Sequence, residues 1–149
     1  MATRFRFRLE PVRKLREALE REAERGLARA LQAEREVRTY LESLAAQRLA
    51  IFESRRLASG QILDLELWRA GERFLVVLER RQLEGYERLR EAVAKVALAR
   101  EALALAHRNH LMLVRLKERR ALQHEHEQAL REALEMDELA VLRHQRQSA

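Results

Sequence analysis

Two histidines three residues apart, His107 and His110, are the first candidates for chemistry in this 149-residue chain. On a helix they share a face, a spacing found in helical metal sites, but a tetrahedral site needs three or four ligands. The chain has no cysteine. No aspartate lies nearby, and nothing on the preceding helix is obviously placed to complete a shell, so no metal is expected. His110 reads as a partly buried spacer and His107 as its solvated neighbour. His124 and His126 flank Glu125 and fall on different faces. Ser43, Ser54, Ser59 and Ser148 lack a local base with an orienting partner, and aspartate occurs only at Asp64 and Asp137, so no nucleophile is assembled. Paired glutamates are plentiful but belong to open helix surface, without the burial that shifts a pKa. With no Gly-rich phosphate loop and no concave pocket of the usual kind, the expectation is a non-enzyme with no cofactor.

The elements that carry these residues follow from composition. Hydrophobic residues make up 47% and charged residues 36%, with aromatics at 5%, one proline and four glycines. That is too charged and too poor in turn residues for a sandwich, barrel or α/β fold, and Ala, Leu, Glu and Arg dominate as they do in long helices and coiled coils. The fold class is all-α and elongated. No run approaches the roughly 18 apolar residues of a membrane span. The opening residues, Met1 to Arg8, lack the apolar core and cleavage site of a secretory signal, and Glu10, Glu17, Glu20 and Glu22 argue against a transit peptide. A soluble, cytoplasmic protein is the simplest expectation.

A net charge of +6 invites a nucleic-acid reading. The 30 bases and 24 acids are interleaved, however, as on the solvated face of a helix. The excess gathers at Arg4, Arg6, Arg8, Arg13, Lys14 and Arg16, and again at Arg115, Lys117, Arg119 and Arg120. No stacking aromatics, Gly-rich loop or zinc ligands accompany it. A basic nucleic-acid-binding helical module is therefore the lesser reading, to be tested by gel shift, and no nucleic-acid partner is the main expectation.

Arg4-Phe5-Arg6-Phe7-Arg8-Leu9 alternates with period two, but no second strand exists to pair with it, so an extended lead-in is expected. Pro11 sits where its missing N–H costs nothing, in the first turn of a helix. Val12, Leu15, Leu19, Ala23, Leu27, Ala30, Val37, Leu41, Leu44 and Ile51 then recur about every 3.5 residues, a coiled-coil seam on one helix over about 11–57. Ala58-Ser59-Gly60-Gln61 breaks it, with Gly60 suited to a left-handed helix end and Asp64 to an N-cap. The loop covers about 58–63. A second helix over about 64–143 carries Trp68, Phe74, Leu75, Leu78, Tyr86, Leu89, Val93, Val96, Leu103, Ala106, His110, Leu111, Val114 and Ala121. A short loop makes the pair antiparallel, giving a single coiled-coil hairpin domain. The second helix, roughly 120 Å long at 1.5 Å per residue, overhangs the first. Folding at Gly60 places the N-terminal end opposite about residue 110, and beyond it Leu116, Leu122, Leu130, Leu134, Leu139 and Leu142 form an apolar stripe with no intrachain partner. Such a stripe implies another surface, either a partner or a second copy. Trp68, Phe74 and Tyr86 read as packing near the hairpin tip or as partner hot spots, since two helices cannot bury every face.

Phe5-Arg6-Phe7-Arg8-Leu9-Glu10-Pro11-Val12, Leu116-Lys117-Glu118-Arg119-Arg120 and Met136-Asp137-Glu138-Leu139-Ala140 together resemble the FliJ proteins of the bacterial flagellar export apparatus, from Phe5 to about Arg143. The resemblance implies a stalk-like antiparallel coiled coil of the type III secretion system. It would enter the hexameric ring of the export ATPase FliI, associate with the export gate protein FlhA, escort export chaperones, and reach the inner membrane only through partners. By position, Arg115, Lys117, Arg119, Arg120, Leu130, Leu134 and Leu139 would face the ATPase, and Phe74 and Leu78 the gate. Around Gly85 the sequence departs from related proteins. A related injectisome stalk and a self-associating structural coiled coil would fit the same residue pattern.

Overall fold

A computed structural model describes residues 3–149. Two helices, α1 (Glu10–Leu57) and α2 (Leu65–Ser148), pack against each other as an antiparallel hairpin, with no strand among the described residues. Each boundary has a local cause. Glu10 opens α1 with its N–H donating to the Phe7 carbonyl at 3.1 Å, and Pro11 occupies the first turn, where no intrahelical N–H is needed. After Leu57 the backbone turns through Gly60 at φ 89°, a left-handed conformation that glycine adopts without steric cost. Asp64 caps α2, its Oδ1 accepting the N–H groups of Glu66 at 3.1 Å and Leu67 at 3.3 Å. No proline follows, and α2 runs past Arg143 to Ser148.

Contacts divide the chain into two units, one of Glu22–Ala104 and one joining the residues up to Arg21 with Leu105–Ala149. In the first, the covered line on α1 passes through Ala23, Leu27, Ala30, Val37, Leu41, Leu44 and Ile51, and on α2 through Leu75, Leu78, Gln82, Gly85, Leu89, Ala92 and Val96. Leu44, Leu78, Ala92 and Val96 are the buried apolar side chains. The backbone of Gly85 lies so close to α1 that a Cβ there would meet Leu41 Cδ2 at 2.6 Å. Glycine at this position permits the close helix approach. Trp68, Phe74, Tyr86 and Val93, expected in the seam, are all at least 41% exposed. The last three lie one position off the line that faces α1.

The second unit has no buried side chain among the described residues. Val12, Leu15 and Leu19, expected in the seam, are exposed, while Glu10, Arg13, Arg16, Glu17 and Glu20 are the partly covered residues. The reason is periodicity. The apolar run Leu15, Leu19, Ala23, Leu27 advances by three successive fours, which slides around a helix whose contact line repeats every 3.5 residues. Carried back from Ala23 at that repeat, the line falls on Glu20, Arg16 or Glu17, and Arg13.

Candidate functional site

Glu20 is the centre of a polar clasp between the helices. Its Oε1 lies 2.7 Å from His107 Nδ1 and its Oε2 2.6 Å from His110 Nδ1. A carboxylate only accepts, so each imidazole donates from Nδ1. These bonds, that from His107 foremost, hold the Glu20 carboxyl below its ordinary value against the opposing effect of burial. Nothing local in the sequence marks Glu20, because its partners lie 87 and 90 positions away. No group of three or more His, Cys, Asp or Glu among the described residues is arranged to hold a metal. The chemistry here is structural: a hydrogen-bonded bridge, closed on one side by the partnerless, buried Nε2 of His110.

Because its pKa falls on folding, Glu20 stabilises the hairpin above the ordinary carboxylate range, and that contribution vanishes as pH falls through the lowered folded value. Glu20→Ala is expected to destabilise the chain at pH 7 by about 0.5–1.5 kcal/mol, the net contribution of a hydrogen bond whose partners water can reach. Thermal melts at pH 7 and pH 3 check this: the difference between variant and wild type should shrink in acid. A difference independent of pH would mean that Glu20 acts through packing alone.

At the start of α1 the pattern repeats. Glu10 bridges Arg13 at 2.6 Å on its own helix and Lys117 at 3.0 Å on α2. The Arg13 guanidinium first, then the Lys117 ammonium, pull its pKa down to about 2. Lys117, expected on a free overhang, is instead engaged by α1, since α1 begins opposite residue 117 and not opposite 110. The lead-in extends the cover further. His124 Nε2 donates to the Thr3 carbonyl at 2.8 Å, Gln128 Nε2 donates to Thr3 Oγ1 at 2.6 Å, and Phe5 tilts against the His124 ring at 5.6 Å. Phe5, Phe7 and Leu9 are partly covered, so the period-two alternation turns Arg4, Arg6 and Arg8 outward, beside Arg120. Arg4, Arg6, Arg8, Arg115, Arg119 and Arg120 form no ion pair among the described residues, and Glu127 lines the same groove as Arg4, Arg6, Arg8 and Arg120.

Uncovered helix begins after Gln128: every residue from 129 to 148 is exposed. Its apolar residues do not form the single stripe expected through Leu139. At about 100° per residue, Leu130, Leu134 and Val141 fall within a narrow sector, whereas Leu139, nine residues beyond Leu130, lies on the opposite side. The Leu130 sector is also out of phase with Ala121, His124 and Gln128, which face the N-terminal segment. Of the two residues assigned to the gate, Phe74 is exposed, but Leu78 at 2% is enclosed in the seam and presents nothing to a partner.

Two long helices packed against each other, one with an exposed terminal segment, define an all-α helical hairpin. Residues 5–149 match the flagellar FliJ protein family, and the chain belongs to it. It is therefore a component of flagellar protein export. No curated protein and no solved structure matches it. No helix among the described residues is long and apolar enough to cross a membrane.

Proposed function

We propose that this chain is a non-catalytic stalk of the flagellar type III export apparatus, whose bare terminal helix enters the ring of the export ATPase FliI, promotes ring assembly and hydrolysis, and links the ring to the export gate FlhA. One observation carries the reading: residues 129–148 are helical and wholly exposed, with large apolar side chains on opposite faces. A flat partner covers one face of a helix. A ring covers all of them.

The mechanism is mechanical and allosteric. A helix whose faces differ, Leu130 and Leu134 on one side and Leu139 on the other, meets symmetry-related subunits with different side chains. It shifts their states only through its differential affinity for them. The arginines at positions 4, 6, 8, 115, 119 and 120, which form no ion pair among the described residues, complement an acidic ring entrance, so association weakens as salt screens it. Phe74, exposed on the other unit, is the gate contact in this reading, and escort of export chaperones uses the same outward surfaces.

Ring assembly and ATP hydrolysis by the cognate export ATPase, measured with and without the full chain at low and high salt, test the proposal. Stimulation of both, reduced at high salt, is the expected result. No effect on a competent ATPase overturns it and transfers the bare helix to self-association, which sedimentation at micromolar concentration would then register.

A further inference from the structure

Where α1 gives way to α2, in the unit Glu22–Ala104, the chain carries large apolar side chains that the fold leaves uncovered. Leu57, Ile62, Leu63, Leu65, Leu67 and Trp68 lie within one short stretch, all are exposed, and Ile62 is as open as a free side chain at 101%. A connecting loop ordinarily takes Gly, Pro, Asn, Asp and Ser. None of these six is buried, and apart from Trp68 they contribute little to holding the hairpin together; a cluster of this kind marks a contact surface.

The arrangement identifies the partner. Leu57 belongs to the last turn of α1, Ile62 and Leu63 to the loop, and Leu65, Leu67 and Trp68 to the first turn of α2. At about 100° per residue Leu65 and Trp68 lie on one side, about 60° apart, whereas Leu67 faces roughly the opposite way. A groove on a folded partner would cover one of these directions, whereas the fluid acyl layer of a membrane wraps a convex tip from every side. Trp68 stands about one turn above Leu65, its ring under the Arg55 guanidinium at 3.8 Å, and Arg55 is itself held by Glu72 at 2.8 Å. An amphipathic ring at that level, with its cation beside it, matches the interface between acyl chains and headgroups. Exposed Arg69 and Arg73 follow on α2 and make no ion pair among the described residues. Glu53 pairs with Arg56 and Glu72 with Arg55, so the remaining charges at the tip are Arg69 and Arg73 together with the capping Asp64 and Glu66.

We infer that the hairpin tip inserts directly into an anionic membrane surface. Ile62 and Leu63 enter the outer part of the acyl layer, Trp68 lies at the interface, and Arg69 and Arg73 meet lipid phosphates. Insertion is shallow, of the depth typical of interfacial elements, and it involves neither the ATPase nor the bare end of α2.

Trp68 is the only tryptophan in the chain, so its emission reports the tip alone. The full chain is titrated with vesicles of phosphatidylglycerol and phosphatidylethanolamine, and separately with phosphatidylcholine vesicles. With the anionic vesicles, Trp68 emission is expected to shift to the blue and to be quenched by brominated lipid. Ile62→Gln with Leu63→Gln should weaken partitioning roughly tenfold or more, because two apolar side chains no longer enter the lipid. Circular dichroism should be unchanged, since both side chains are exposed. Arg69→Glu with Arg73→Glu should remove the preference for anionic lipid. Absence of vesicle binding overturns the inference and assigns the tip to a protein. Co-sedimentation without a Trp68 shift also overturns it, since binding would then run through other arginines, and so does an unaltered affinity in the Ile62/Leu63 variant.

Discussion

Leu130→Asp combined with Leu134→Asp is expected to abolish stimulation of the export ATPase while leaving the hairpin folded. Both side chains are exposed and on one face of a segment in which every residue from 129 to 148 is exposed. Surface substitutions of this kind change stability by about 0.5 kcal/mol or less. At an interface the accounting differs. Burying a leucine contributes about 1.5–3 kcal/mol, and each aspartate adds the cost of an unpaired buried charge. Two lost leucines therefore weaken binding by roughly a hundredfold or more, at about 1.4 kcal/mol per tenfold. Equilibrium binding to the ATPase, alongside circular dichroism of the variant, is the measurement. Normal binding by a folded variant would remove this segment from the ATPase contact. Leu139→Asp adds a direction: a comparable loss means that the partner surrounds the helix, and no loss means that it lies against the Leu130 face only.

The largest effect on stability is expected from Leu78→Ala. Leu78 is 2% exposed, the most enclosed side chain among the described residues. Truncating a buried leucine costs about 2–5 kcal/mol, the spread reflecting how far the surroundings collapse. At about 2–4 °C per kcal/mol in a chain of this size, the melting temperature should fall by several degrees or more. Phe74→Ala, four positions earlier and exposed, should barely move it. For the proposed gate contact, the pair separates two ways of losing it. The Leu78 variant would lose it with the seam, whereas the Phe74 variant would lose it with the fold intact. Thermal melts followed by circular dichroism decide. A shift for Leu78→Ala no larger than for Phe74→Ala would mean that the seam at this point is open in solution.

Much of the fold was legible in the sequence because its causes are local. Composition demanded helices, a left-handed glycine at 60 ended one, and Asp64 began the next through bonds to N–H groups two and three residues away. The unequal lengths, 48 and 84 residues, follow from where that break falls. The split between Leu130 and Leu139 also lay within reach, since it needs only the turn of a continuous helix. The family resemblance, carried by words spread from Phe5 to Ala140, depended on order along the chain and not on contact.

What required the tertiary structure was the identity of partners far apart in sequence. An apolar residue at helical spacing fits a seam equally well one position to either side, and only the facing helix selects among them. In the unit Glu22–Ala104 that choice buried Leu78 and left Phe74 out. In the other unit it put Glu10 and Glu20 against Lys117, His107 and His110, and turned Val12, Leu15 and Leu19 to solvent. The lead-in's grip on His124 and Gln128 moved the start of the bare helix from about residue 110 to 129. Helix formation is governed by interactions within a few residues of the chain, and one sequence suffices to read it. Register is a difference between nearly equal packings of two distant segments, and it is settled only where their side chains meet.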